Sequence, residues 1–196
     1  MDGNILESAK NERIDRFLYA SCTCIYPNDE KTLEEDDAWK GDPPEVHAPY
    51  SWSKRMGEKQ AIAYHKEYGM NIAIVRPSNS YGPRDSDDLE TAHALGSLII
   101  KAINKMNPFV IWGDGSPIRE YIYASDAAKG MLLAMENYCV GDPINLASGE
   151  FVSISELAQK ILKISNLNPE IKFDKEKHYK SLKLYIAQEL NLFRYS

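Results

Sequence analysis

With 43% apolar and 27% charged side chains, a chain of 196 residues matches soluble globular domains and can bury one good core, or one and a half. The net charge of −6 argues against general nucleic-acid binding but leaves room for an anionic small substrate held by a few local cations. No apolar run reaches membrane-spanning length, the Met1-Asp2-Gly3-Asn4 start lacks a signal-peptide core, and three cysteines, Cys22, Cys24 and Cys139, are an odd count for a disulfide scaffold, so a reducing cytoplasm is expected.

Residues 4–12 read as a helix with Ile5, Leu6 and Ala9 on one side, and residues 16–22 as a short apolar strand. A polar loop runs from Pro27 to Pro49, and its acidic run Glu34-Glu35-Asp36-Asp37 reads as a solvated face rather than a metal site. Ala48 to Tyr68 reads as a helix stopped by Gly69. The continuous run Asn71-Ile72-Ala73-Ile74-Val75-Arg76 has the character of a buried parallel strand, closed by Pro77, with Asn79-Ser80-Tyr81-Gly82-Pro83 as a loop. Thr91 is expected to cap a helix reaching about Met106, and Pro108 to Trp112 to form a short strand. Arg119 to Tyr123 reads as extended, Ser125 as the cap of a helix to about Asn137, and Asp142 to Leu146 as a strand. Ser153-Ile154-Ser155-Glu156 is a capping box opening a helix to about Ser165, and Glu170 to Asp174 is a last strand before a polar, weakly helical tail. Strands alternating with helices predict a parallel α/β sheet with additions. No strand leads into Gly-x-Gly-x-x-Gly and a helix, so the chain reads as the later portion of a nucleotide-cofactor enzyme, without the first pyrophosphate-binding unit.

Tyr50 and Lys54, at i and i+4, share one helix face. A free tyrosine, with a pKa of about 10, is a poor base at neutral pH. A nearby ammonium stabilises the phenolate and lowers that value. The setting strengthens the pairing, because an apolar strand ending in small polar groups precedes it by one loop.

Four segments carry a resemblance in both order and spacing. They are Tyr19-Ala20-Ser21-Cys22-Thr23-Cys24-Ile25-Tyr26-Pro27, Tyr50-x-x-x-Lys54, Arg76-Pro77-Ser78-Asn79-Ser80-Tyr81-Gly82-Pro83 and Trp112-Gly113-Asp114-Gly115-x-x-x-Arg119-Glu120-Tyr121. Together they resemble the extended short-chain dehydrogenase/reductase superfamily, in its NAD-dependent epimerase/dehydratase branch, over about residues 4–174. The implied fold is a partial Rossmann α/β sheet lacking its first βαβ units, plus a small substrate-binding α/β subdomain. Residues 1–83 would be the C-terminal half of the NAD(P)-binding domain, and residues 84–196 mainly the substrate subdomain, with 119–148 returning to the sheet.

The resemblance also implies roles. Tyr50 would remove a sugar hydroxyl proton as a hydride passes to the nicotinamide of NAD or NADP, and Lys54 would lower the tyrosine pKa and bond the nicotinamide ribose. The family holds the same sugar oxygen with a serine or threonine four residues before the Tyr-Pro tyrosine; here that slot is Cys22, a weaker donor. Strand alternation would turn Ser21 and Thr23 away and aim Cys22 and Cys24 together at the site. Within the branch, Cys24-Ile25-Tyr26-Pro27 is similar to the GDP-fucose synthases and GDP-mannose 3,5-epimerases. In those groups a cysteine in this slot supplies one proton-transfer partner, and a residue at a later helix start supplies the other: a histidine in the first, a lysine in the second. Here the second slot is His93. A helix N-terminus favours neutral imidazole, which suits a base at pH 7.

By the same resemblance Pro77 and Asn79 lie at the nicotinamide, Asn79 also at the sugar, and Arg119 at the nucleotide diphosphate. Lys101 is either near that diphosphate or a solvated helix residue, and Trp112 is either a sugar contact or core packing. His47, His65 and His178 match nothing and read as surface groups. The implied substrate is a nucleoside-diphosphate sugar, without metal. A homodimer is expected through residues 4–12 and 48–68, burying Ile62. Two alternatives stay open: a nucleotide-sugar 4,6-dehydratase or 4-epimerase, and a truncated, inactive fragment. Cys22, Ser51 and Leu95-Gly96 favour the last.

Overall fold

The computed structural model describes residues 2–27, 32–177 and 185–186. Helix α1 (Asp2–Asn11) leads into strand β1 (Phe17–Ala20), a short strand β2 (Thr32–Leu33), the long helix α2 (Ala48–Tyr68), and strands β3 (Ile72–Pro77) and β4 (Asn79–Tyr81). The second half runs through α3 (Ala94–Ile103), β5 (Phe109–Trp112), β6 (Ile118–Tyr123), α4 (Ala124–Asn137), β7 (Val140–Leu146), β8 (Phe151–Ser153), α5 (Ile154–Ile164), β9 (Ile171–Asp174) and β10 (Tyr185–Ile186).

Strands β1, β3 and β7 pair in parallel in that order, with Phe17 opposite Ile72 and Ala20 opposite Val75. Residues Ile72 to Val75 are wholly buried because β3 is covered on both faces. Ile72 and Ile74 pack on Leu6, Ala9 and Ala61 of α1 and α2. Ala73 and Val75 pack on Ala127 and Ala134 of α4. A parallel sheet with helices on both faces is the doubly wound arrangement expected from the apolar run. Helix α2 stops at Gly69, whose left-handed backbone (φ 68°) lets its N–H bond the His65 carbonyl.

A second core lies apart from the sheet. There β5 and β9 pair in parallel, and Leu98, Ala102, Phe109, Ile111, Ile154, Ala158 and Leu162 close the space between them and helices α3 and α5. The capping box forms as expected, with the Glu156 N–H donating to Ser153 Oγ and the Ser153 N–H donating to Glu156 Oε2.

The structure departs from sequence expectation in several places. Asn79–Tyr81 is a strand rather than a loop, because it lies alongside Tyr121–Tyr123, a distant partner that local composition does not reveal. With β8 added antiparallel, β4, β6 and β8 form their own sheet, and the chain rejoins the main sheet only through α4 and β7. Helix α3 begins at Ala94 with His93 in the N-cap position, while the Thr91 hydroxyl bonds Asp88 and Ser86 instead. Helix α4 begins at Ala124, so Ser125 lies inside it. The expected tail after Lys177, with His178, falls almost wholly outside the described residues.

The segment expected as a polar loop is anchored inward. Asp37 is buried and accepts bonds from the Glu34 N–H and Lys40 Nζ, so the acidic run is not a uniformly solvated face. Glu35 Oε1 accepts from the Asn145 N–H of β7 at 2.8 Å. Arg76, at the end of β3, pairs with Glu58 of α2 at 2.8 Å, both side chains being 1% exposed or less. The same guanidinium donates to Tyr26 Oη and the Glu35 carbonyl, and Tyr26 Oη donates to Asn145 Oδ1 at 2.6 Å. Arg55 holds the carbonyls of Ile25 and Gly41. Among the described residues no helix is long and apolar enough to cross a membrane.

Candidate active site

Helix α2 carries Tyr50 and Lys54 past the carboxyl end of β1. The helix lies close because position 57 is glycine: a Cβ there would overlap the Tyr19 hydroxyl, which bonds Asp2 Oδ2 and the Lys54 carbonyl. Lys54 Nζ donates to the Ala20 carbonyl at 2.8 Å and lies 5.8 Å from the centre of the Tyr50 ring. The expected lowering of the tyrosine pKa does not result. Burial, reinforced by Cys22 and Cys24, pushes Tyr50 up to about 12.

Cys22 and Cys24 come to one side, but not by strand alternation, since β1 ends at Ala20. Cys22 is extended (φ −157°, ψ 163°) and caps the 3-10 turn Thr23–Ile25 that carries Cys24. Cys22 belongs to a buried cluster with Ile25 and Tyr26, and Cys24 packs against that cluster. The bond from Cys22 lowers the Cys24 thiol to about 7 against the opposing effect of burial. Cys22 is pushed up, first by Cys24 and then by burial. Ser51, where glycine or alanine is commoner in the family the sequence resembles, is wholly buried, and its hydroxyl donates to the Cys24 carbonyl at 2.8 Å.

In front of this cluster opens a cleft of about 530 Å³ that brings Cys24, Tyr50, Asn79, His93, Trp112 and Arg119 together. Asn79 is fixed by donating its Nδ2 to the Glu120 carbonyl at 2.9 Å. Arg119 is buried, donates to the Ile118 carbonyl, and has its pKa drawn below the ordinary value by burial. Lys101 is neither solvated nor part of the lining. Its Nζ donates to the Val110 carbonyl at 2.8 Å and stands 5.4 Å from the Trp112 ring, and burial, then Lys177, draws its pKa down. Pro77 pairs with Leu146 at the end of β3, outside the lining. Ile62 is half-buried, packed against the core below α2.

Sequence reasoning missed part of the lining. His47 faces the cleft rather than bulk solvent alone, as do Tyr81 and Tyr121, whose rings meet edge-on at 6.3 Å. The signal was present in the tyrosines at 81, 121 and 123, but it becomes legible only once β4 and β6 are paired. His65 bonds the Met70 carbonyl through Nδ1 at the far end of α2. Among the described residues no group of three or more His, Cys, Asp or Glu side chains could hold a metal.

The described residues fit the nicotinamide end of a dinucleotide. Ser21 and Ser78, just past the carboxyl ends of neighbouring strands, each bury a hydroxyl without a hydrogen-bond partner among the described residues. A cleft beside parallel strands, with Tyr50 of α2 on one wall, Lys54 one helical turn further on, and the buried Arg119 on another, is the arrangement of a Rossmann-type nucleotide enzyme. The NAD dependent epimerase/dehydratase family matches residues 1–147, and the chain belongs to that family.

The chain is 31% identical to a GDP-L-fucose synthase from Sinorhizobium fredii over 182 residues, 90% of this chain and 58% of that protein. It is 31% identical to a GDP-mannose 3,5-epimerase from Arabidopsis thaliana over 166 residues, 81% of this chain and 43% of the other. A GDP-L-fucose synthetase structure from Naegleria fowleri bound to NADP superposes with a TM-score of 0.86 at 28% identity, over 95% of this chain and 61% of that one. The chain thus spans between about two fifths and three fifths of the length of these relatives.

Proposed function

We propose that this chain supplies the acid–base machinery and the sugar-side cleft of an NAD(P)-dependent nucleotide-sugar epimerase that also reduces its keto product. One observation carries the reading: Cys24 and His93, on separate elements, line the same cleft as Tyr50 and Arg119. Inverting a carbon beside a ketone needs a base on one face and an acid on the other. With its thiol near 7, Cys24 can hold or take a proton at Sγ close to neutral pH. His93, presented at the start of α3, is the second partner. Arg119 offers a guanidinium fork to a diphosphate, and Asn79 and Trp112 orient the sugar. Lys101 acts on that site only from behind Trp112.

Tyr50 Oη moves the proton of the sugar hydroxyl, with Cys22 in the position where the family uses a hydroxyl. The nicotinamide, when bound, supplies the hydride chemistry. Lys54, Ser21 and Ser78 would hold that end of the cofactor, NAD or NADP, and the solved Naegleria relative carries NADP. The substrate is a nucleoside-diphosphate sugar, as the names of the GDP-sugar relatives support. Residues 1–83 serve the cofactor side and 84–196 mainly the sugar side, with α4 and β7 closing the sheet. The compartment is the cytoplasm. The assembly is a homodimer through α1 and α2, supported by the exposed Ile5, Trp52 and Met56 on those helices.

Proton exchange beside an existing ketone needs no hydride, so the chain itself can be assayed. Incubated in deuterated water with a nucleoside-diphosphate 4-keto-hexose, it should place deuterium on the carbons flanking the ketone. Cys24→Ser or His93→Asn should slow this by about 10²–10⁴-fold, the usual worth of one general acid or base. No exchange by the unaltered chain, or exchange that survives both changes, would overturn the reading.

A further inference from the structure

Cys22 and Cys24 form a pair that acid–base chemistry uses only in part. Cys24 reaches the open cleft, while Cys22 lies buried behind it at 9% exposure. One intervening residue and a change from extended backbone to a 3-10 turn separate the two cysteines, and Cys24 packs against the buried cluster that holds Cys22. Both are free thiols. The third cysteine, Cys139, is elsewhere, bonding the Met135 carbonyl at the end of α4. An accessible sulfur with a second thiol directly behind it is the arrangement of an attacking and a resolving cysteine.

We propose that Cys22 and Cys24 form a peroxide-sensitive dithiol that closes to an intramolecular disulfide, with Cys24 attacked first and Cys22 resolving. In the first step the Cys24 thiolate attacks the outer oxygen of a hydroperoxide. The O–O bond breaks, an S–O bond forms, and the alkoxide or hydroxide leaves and takes a proton as alcohol or water. In the second step Cys22 attacks the sulfur of the resulting sulfenic acid. An S–S bond forms, the S–O bond breaks, and water leaves carrying the Cys22 proton. Two thiols lose two electrons in all, and the peroxide gains them.

The local chemistry favours this order. The thiolate, not the thiol, reacts, and the bond from Cys22 lowers the Cys24 thiol to about 7. Cys139 is pushed the other way by burial. A disulfide closed over a single residue departs from relaxed geometry, and such bonds are easily reduced and serve as labile switches. Closure also removes the Cys22 thiol that, after burial, raises Tyr50, so one oxidation would alter both the cysteine and the tyrosine. The oxidation does not depend on the epimerase reading, because it needs only the two sulfurs and the cleft.

The test uses the chain alone. After treatment with hydrogen peroxide at pH 7.5, remaining thiols are alkylated with iodoacetamide and the peptides are weighed. The peptide holding Cys22 and Cys24 should be unalkylated and lighter by two hydrogens, and dithiothreitol should restore it, while Cys139 is alkylated throughout. Cys22→Ser should strand Cys24 as a sulfenic acid that dimedone traps and excess peroxide drives to the sulfinic acid. Lowering the pH from 7 to 6 should slow the first step, following the thiolate fraction. A wild-type peptide that stays fully alkylated, accumulates sulfinic acid without a bridge, or links two chains on a non-reducing gel would overturn the proposal. The wild-type measurement needs no variant to fold.

Discussion

Two regions of the molecule are held together by opposite means. Residues 22–27 and 32–41 are pinned between α2 and the main sheet by individual polar partners: Arg76, itself paired with Glu58, with Tyr26 and the Glu35 carbonyl, Tyr26 with Asn145, Arg55 with two carbonyls, Ser51 with the Cys24 carbonyl. The unit of α3, β5, α5 and β9 is held by an apolar cluster and a local cap. The difference follows from what each must do. A segment presenting Cys24 to a cleft has to be held in one position, and directional bonds to buried charges specify position. A unit that only closes a wall can rely on summed apolar area, which is non-directional.

Breaking one partner should therefore cost most in the first region. Glu58→Ala leaves Arg76 buried and unpaired, and should lose about 3–5 kcal/mol of stability in urea unfolding. Replacing both Glu58 and Arg76 by methionine should cost far less, because no charge is then stranded. A single change costing under about 1 kcal/mol would refute the role given to the pair.

In the second region the comparable injury is a cavity. Leu98→Ala, at a wholly buried position of α3, should cost about 2–5 kcal/mol, with the cleft-side Cys24 alkylation rate unchanged. A large change in that rate would show that the two regions are not independent. Ser51→Ala should remove the bond to the partly buried Cys24 carbonyl and cost about 1 kcal/mol or somewhat more, and it should alter Cys24 alkylation, because the bond fixes the turn. The smallest effect belongs to the local cap. Ser153→Ala should cost about 1 kcal/mol and leave every cleft residue in place, as read by unfolding and by alkylation.

Much of this was legible in the chain, and the reasons differ by element. The continuous apolar run before Arg76 could only be a strand covered on both faces. Gly69 ended α2, and Ser153 with Glu156 opened α5, because caps act within four residues. The Tyr50–Lys54 pair was readable because helical spacing fixes which residues share a face. Thr91 and Ser125 misled, since each is a good cap type whose hydroxyl the surrounding fold did not require at a helix start.

The remainder was decided in three dimensions. Which strand receives Asn79–Tyr81, and hence that His47, Tyr81 and Tyr121 share a cleft with His93, depends on a pairing between segments far apart in sequence. That Arg76 is a buried ion-pair partner rather than the polar end of a strand depends on where Glu58 lands when α2 docks. The protonation behaviour of Tyr50 and Cys24 was likewise not in the motif. Residue types and spacing nominate an acid, a base and a nucleophile, but burial and the neighbours brought by folding set their pKa values, and here those raise the tyrosine and lower the thiol. Local spacing thus determined the elements and named the chemistry-bearing residues, whereas contacts across the fold decided their charge states and which of them meet.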